Sequence, residues 1–237
     1  MTYGLETVPS DPRRLRAILA GPMRDWAPRL CAVAAFGFLA MATMVRTLAI
    51  LALATDGIDL LTAARLFATL CQTVCYLLVI VLTVTRRAPV KRAPGLEPRF
   101  SALAGTFLIL GFGFLPPPRG LAVAWHVAAA SLLLLGFALI FVVLLQLGRS
   151  FSVMAEARRH VTRGPYGVIR HPLYLAELIC VGGAFIETAS VPAAILVFVV
   201  IAFQIRRIYN EEAVLEAAFP DYAAYQASTA RLIPGVW

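Results

Sequence analysis

The sequence predicts an all-α integral membrane protein with about six transmembrane helices, the last two forming a helical hairpin, followed by a cytoplasmic amphipathic C-terminal helix. Three observations carry this. Of 237 residues, 60% are hydrophobic and only 14% charged, against about 25% charged in an ordinary soluble domain. The mean hydropathy of +0.82 is more apolar surface than one water-soluble core can hide. Apolar runs near the ~20 residues that cross a bilayer recur along the chain, separated by basic or proline-rich stretches. Water-soluble enzyme folds, disordered tails and nucleic-acid modules are excluded together. The +8 net charge therefore belongs beside anionic headgroups, and no nucleic-acid partner is expected.

Residues 1–29 form a cytoplasmic N-terminal segment in which Arg13, Arg14, Arg16, Arg24 and Arg29 are broken by four prolines. This is too polar for a secretory signal core, and no cleaved signal is expected. Leu15 to Leu19 suit either the headgroup plane or a solvated tail. Leu30 to Ala54 is the first span and Leu66 to Thr85 the second, joined by an acidic turn with Asp56 and Asp59. The segment 86–99, RRAPVKRAPGLEPR, holds five basic residues and three prolines and stays outside the bilayer. Phe100 to Leu115 is a short third span stopped by Pro116, Pro117 and Pro118, and Leu121 to Leu147 is a fourth, so that 30–145 form a four-helix transmembrane region. From Gly148 to Pro172 the chain is polar. Leu173 to Ile205 is apolar again but interrupted at Ser190 to Pro192, giving two hairpin arms of about 15 residues each. Arg206 to Trp237 is a charged tail in which Leu215, Ala218 and Phe219 share a helical face before Pro220.

Topology follows from charge. Placing the N-terminus, the 86–99 loop, the 148–172 loop and the tail on one side gathers eighteen of the 21 Lys and Arg, leaving Arg46, Arg65 and Arg119. Both termini and the polar segments are thus expected in the cytoplasm, with an even number of crossings. Cys31, Cys71, Cys75 and Cys180 lie in apolar runs and read as small buried hydrophobes, and no metal set accompanies them.

Chemistry concentrates in two stretches, 148–177 and 204–231. They flank the hairpin, which returns the chain to the face it left, so they must meet. Pro172 can open a helix, holding Arg170 and His171 at an N-terminus suited to an anionic group, with Tyr166 and Tyr174 as flat surfaces. Arg207 and Glu211 are four apart. They suit either the two ends of a zwitterion or an ordinary exposed ion pair. Glu177, one turn after Tyr174, suits a bond to Arg170, a cofactor contact or an internal polar clamp. His126 and Glu187 read as structural or interfacial, Arg46 as snorkelling or functional, and Gln72, Gln146 and Gln204 as interhelical hydrogen-bonders. The sequence holds no Ser/His/Asp order, Walker loop, Gly-x-Gly-x-x-Gly turn or HExxH helix.

GRSFS, HVTRGPYGVIRHPLY, a short apolar hairpin, NEEAVLEAAFPDYAAYQ and RLIP together resemble the isoprenylcysteine carboxyl methyltransferase family and its phospholipid N-methyltransferase relatives. The resemblance covers roughly residues 146–234 and marks 146–237 as a cofactor-binding methyltransferase core. It implies an S-adenosylmethionine-dependent enzyme acting on a lipophilic acceptor, lipid or lipidated molecule that enters from the bilayer. It further implies that His160, Val161, Tyr166, Arg170, His171, Pro172, Leu173, Tyr174 and Glu211 line the cofactor pocket. Arg207 would orient the acceptor, making Arg207 and Glu211 the pair closest to the chemistry. Arg158 stands where the family often has a histidine, and Pro220 replaces a usual glycine.

A second resemblance stays open. Membrane sterol and steroid reductases share Arg-His-Pro-x-Tyr and a tail ending in Pro-Gly plus an aromatic, here Pro234, Gly235 and Trp237, and use NADPH. A third reading is a small transporter or assembly factor with polar cytoplasmic loops, which binds neither cofactor.

Overall fold

The computed structural model describes residues 12–55, 57–116, 118 and 120–237, with side chains for all of these except 12–25 and 27. Seven α-helices carry the fold: α1 Pro12–Leu53, α2 Leu60–Thr85, α3 Glu97–Phe107, α4 Val123–Leu147, α5 Pro172–Thr188, α6 Val191–Glu216 and α7 Tyr222–Ser228. Helix α1 runs unbroken from Pro12 into the first span, while residues 1–11 of the expected N-terminal tail, Asp56 of the acidic turn, and Pro117 and Arg119 lie outside the described residues. Asp59 caps α2 by accepting from the Thr62 N–H at 2.7 Å, and hydrogen bonding to Thr62, from its side chain first and its backbone second, holds the carboxyl below the usual range. Ser190 caps α6 in the same way, with Pro192 in its first turn.

The chain is an integral membrane protein, with four helices long and apolar enough to cross a bilayer: Pro28–Leu53, Leu60–Thr85, Val123–Ser150 and Val191–Glu216. The expected six become four by this measure for two local reasons. The third expected span is eleven residues of α3 followed by a seven-residue 3-10 helix, Leu108–Phe114, longer than such segments usually run. Gly111 lies within it against Leu196 of α6, whose Cδ2 would be 3.0 Å from a β-carbon there, so the glycine permits this close approach. The first hairpin arm, α5, has only 17 residues. A further correction concerns the tail: residues 206–216 continue α6 instead of forming a separate amphipathic helix, and only the seven-residue α7 follows.

Helix α1 packs on α2, α2 on α4 and α4 on α5, while α3 and the 3-10 helix pack on α6. The α4–α5 seam is close because both helices offer glycine. A β-carbon at Gly183 would stand 2.9 Å from the Ala129 carbonyl, and one at Gly136 would collide with the Cys180 sulfur. Cys75 and Cys180 are buried here, Cys75 donating to the Phe137 carbonyl at 3.2 Å; Cys71 is half-buried, and Cys31, contrary to expectation, lies exposed on α1. Outward-facing Phe38, Met41, Val45, Leu48, Ile195 and Phe198 are the apolar surface a lipid environment accepts.

The polar segments do gather at one end. A two-residue antiparallel ribbon pairs β1 (Lys91–Arg92) with β2 (Glu156–Ala157), and the Arg87 N–H donates to the Arg149 carbonyl at 2.9 Å. Arg29 donates to the Val84 carbonyl at 2.9 Å, and Arg206 pairs with Glu97 at 2.9 Å. Arg29, the 86–99 segment, the 148–172 segment and the tail thus share one pole of the bundle.

Candidate active site

Pro172 begins α5 as the sequence predicts, and His171 occupies the position before it. The backbone N–H groups of Arg170 and His171 donate to the carbonyls of Ala230 and Arg231 at 2.8 and 3.1 Å, so the tail lies across the start of α5. The anion met by the two side chains is the protein's own. Glu212 of α6 accepts from Arg170 Nε at 2.8 Å and lies 3.1 Å from His171 Nε2. Because a carboxylate only accepts, this ring nitrogen carries the proton. Arg231 completes the cluster at 2.9 Å from the other Glu212 oxygen. Arg170 also donates to the Gln226 carbonyl at 2.8 Å and to that of Thr229, which ties α7 to α5. Glu212, Arg231 and α7 therefore fix the RHPLY segment in place.

One helical position away, Glu211 faces a different neighbourhood. Tyr174 Oη donates to it at 2.7 Å, and the Arg207 guanidinium lies over the Tyr174 ring, 4.6 Å from its centroid. Arg207 is buried and donates through Nη1 to Gln204 at 2.8 Å and to Glu177 at 3.1 Å, while Gln204 donates to Glu177. Glu177 is thus a polar clamp between α5 and α6. No hydrogen bond or ion pair joins Arg207 to Glu211 among the described residues, so the ordinary ion-pair reading of their spacing does not hold. Gly105 of α3 makes room for this arginine: a β-carbon there would stand 2.5 Å from Arg207 Cδ. Asn210 anchors α3 to the site by donating to Glu97 at 3.1 Å and to Ser101 at 3.0 Å.

The remaining expected residues divide between this site and its surroundings. Tyr166 is buried, and its carbonyl accepts from Tyr225 Oη at 2.6 Å. Burial first, then the Glu211 charge, pushes the Tyr166 phenol well above its ordinary value, and burial pushes Tyr225 up to about 12. Both rings stay neutral near pH 7, as aromatic surfaces and donors and not as bases. His160 belongs to the tail side. Its ring stacks on Phe219 at 5.9 Å and meets Tyr222 and Tyr225 edge-on at 5.2 and 4.8 Å, and Nδ1 lies 3.3 Å from Asp221. Val161 is half-buried beside it and Pro172 is buried. Leu173 packs with Phe36, Val79 and Leu144 in the main apolar core.

Buried polar atoms without a hydrogen-bond partner among the described residues include Arg207 Nε, His160 Nε2, Tyr222 Oη, and Arg158 Nε and Nη1. Such orphans are costly unless a ligand or water meets them. A narrow crevice is lined by Pro98, Ala102, Val153, Ala155, Tyr174, Arg207 and Asn210.

Residues 124–222 match the model of a family described as phospholipid methyltransferase. This segment is similar to the phospholipid methyltransferase family. All of the expected site residues, from His160 to Glu211, fall inside the matched segment, whereas Arg231 and the 86–99 ribbon fall outside it. Over 117 residues the chain is 32% identical to the cobalt-zinc-cadmium resistance protein CzcN of Cupriavidus metallidurans, covering 46% of this chain and 53% of that protein. The chain therefore spans about half the length of this curated relative. Sequence reasoning missed Glu212 as the hub of the cluster at the start of α5. The signal was there in Arg170, a cation that could not be buried at a helix start without a counter-ion, and in the hydrogen-bonding ring of His171 beside it.

Proposed function

We propose that the protein is an S-adenosylmethionine-dependent membrane methyltransferase whose acceptor enters from the bilayer, and that residues 146–237 form its cofactor-binding core. The observation that carries this reading is the Arg207–Tyr174–Glu211 stack, in which a guanidinium, an aromatic face and a carboxylate converge at the end of the bundle inside the methyltransferase segment. The residues fit such a cofactor. Carboxylate and aromatic faces suit a sulfonium and an ammonium, the orphaned Nε–H of Arg207 suits a ligand oxygen or ring nitrogen, and the orphaned Nε2 of His160 suits a polar group of the ligand. With the arginine-rich pole on the cytoplasmic side, the site opens where a cytoplasmic cofactor and a lipid-borne acceptor can meet.

When bound, S-adenosylmethionine supplies an electrophilic methyl group on a sulfonium, transferred by in-line displacement. The chain's own work is positioning. Glu211, held by the Tyr174 hydroxyl, binds the cationic part of the cofactor, and the rings of Tyr166 and Tyr174 hold flat groups. Arg207 is fixed by Gln204, Glu177 and the space left at Gly105, so its remaining N–H groups are presented to the acceptor in one orientation. Burial of the stack excludes water that would compete for the methyl group. The Glu212 cluster holds the α5 start and the tail around this pocket.

The test separates the two roles. Glu211→Gln is expected to weaken S-adenosylhomocysteine binding by about 1 to 3 kcal/mol. Arg207→Lys is expected to leave that affinity nearly intact and to slow single-turnover methyl transfer, because lysine keeps the charge and loses the planar fork. Full turnover in Arg207→Lys would refute the orienting role.

A further inference from the structure

The exposed side chains of Ile195, Phe198, Ile205 and Tyr209 recur at helical spacing along one face of α6. Ile195 and Phe198 belong to the lipid-facing surface, and Ile205 and Tyr209 carry the same stripe toward the site pole. From Val191, where this membrane-crossing stretch begins, to Tyr209 is eighteen residues, a rise of about 27 Å and close to the ~30 Å of a bilayer's hydrocarbon core. Arg206 and Glu97 form their exposed ion pair at the same level. The stripe therefore ends at headgroup depth.

The tail extends it. Arg231 lies between the rings of Tyr209 and Trp237, 5.0 Å from each centroid, and the two rings are 6.3 Å apart and edge-on. Leu232 is buried with Tyr174 and Ile208. Beyond it the chain closes a tight turn: the Val236 N–H donates to the Ile233 carbonyl at 3.1 Å, and the Leu232 and Ile233 N–H groups donate to the Trp237 backbone oxygen at 2.9 and 3.0 Å. Pro234 presets this turn, and Gly235 takes a φ of +78° that a side chain would strain. So closed a turn holds Ile233 and Val236 outward, 46% and 78% exposed. A single exposed valine means little, but these two extend a lipid-facing stripe beside a tyrosine, a tryptophan and the arginine between them, the composition that suits a bilayer's headgroup layer.

We propose that the turn at residues 232–237 is an interfacial membrane anchor that holds the tail across the start of α5. Ile233 and Val236 enter the acyl boundary, while Tyr209 and Trp237 rest at headgroup level and cover Arg231. The link from lipid to site is short. Arg231 pairs with Glu212 at 2.9 Å, and the carbonyls of Ala230 and Arg231 accept from the N–H groups of Arg170 and His171. Lipid contact at the turn thus secures the segment that carries the Arg-His-Pro-x-Tyr motif. The anchor involves neither cofactor nor methyl acceptor and stands independently of the methyl-transfer reading.

Trp26→Phe with Trp125→Phe leaves Trp237 as the single tryptophan of the full chain, and its fluorescence in phosphatidylcholine nanodiscs reports depth. The quenchers are spin labels on the lipid headgroup, high on the acyl chain and near its end, and iodide in the water. The headgroup and upper-chain labels are expected to quench Trp237 about twofold or more above the label near the chain end, with weak quenching by iodide. Adding Ile233→Asp and Val236→Asp should reduce lipid quenching and raise iodide quenching. Amide exchange in the peptide 166–174 should then quicken by about tenfold, as the bonds from Arg170 and His171 to the tail open. Quenching of the parent by iodide and by no lipid label would overturn the anchor and put the turn in water. Shielding from both kinds of quencher would overturn it in favour of a second copy of the chain on this face. Unchanged exchange at 166–174 once lipid quenching is lost would overturn the link to α5.

Discussion

The two poles of the bundle hold the same three residue types and use them differently. At the site end, Glu212 is bound by Arg170, His171 and Arg231. At the opposite end, Glu187 lies 3.2 Å from His126 and 3.7 Å from Arg65. Glu212 is 5% exposed, whereas Glu187 is 25% exposed and its arginine 38%. Desolvation separates them. The buried carboxylate has no water to fall back on, so its partners are obligatory and it fixes where three chain segments meet. The half-buried trio keeps more contact with solvent and contributes less.

Breaking that contrast gives the largest expected effect. Glu212→Ala leaves two arginines without their counter-ion and should cost about 3 to 5 kcal/mol of stability, read as a lowered unfolding midpoint in detergent. Next comes Gly105→Ala, whose β-carbon would press on Arg207 Cδ. Displacing the guanidinium should cost about 1 to 3 kcal/mol, seen as slowed methyl transfer with cofactor affinity nearly kept. Tyr174→Phe removes the hydroxyl that holds Glu211, and calorimetry should show S-adenosylhomocysteine weakened by about 1 kcal/mol. Smallest is Glu187→Ala, with a change below about 1 kcal/mol in the same unfolding experiment. A Glu187→Ala loss equal to that of Glu212→Ala would show that burial is not what separates the poles.

Much of this was legible in the sequence because membrane proteins advertise their constraints. Apolar length marked the ends of the first two spans, at Leu53 and Thr85, but not their starts, because α1 begins at Pro12 and α2 at Leu60; proline placed the start of α5 at Pro172. The hairpin argument brought 148–177 and 204–231 together, as the Tyr174–Glu211 and Arg170–Glu212 bonds show. What stayed hidden depends on register and tertiary detail. Periodicity marks the neighbours Glu211 and Glu212 alike as polar, and only the rotation of α6 against α5 assigns one to Tyr174 and the other to the arginine cluster. The 3-10 stretch after Phe107 was equally invisible, since Leu108–Phe114 is apolar whichever helix it forms. The ribbon joining β1 to β2 is two residues long, too short for any alternation to announce it.

We propose that the stack of Arg207, Tyr174 and Glu211 serves S-adenosylmethionine and not a nicotinamide cofactor. Calorimetry of the full chain in detergent, with S-adenosylhomocysteine and NADPH titrated in separate runs, tests it most directly. The account predicts saturable S-adenosylhomocysteine binding that Tyr174→Ala weakens, and no binding of NADPH. Saturable binding of NADPH with none of S-adenosylhomocysteine would contradict it and favour the reductase reading of the Arg-His-Pro-x-Tyr motif.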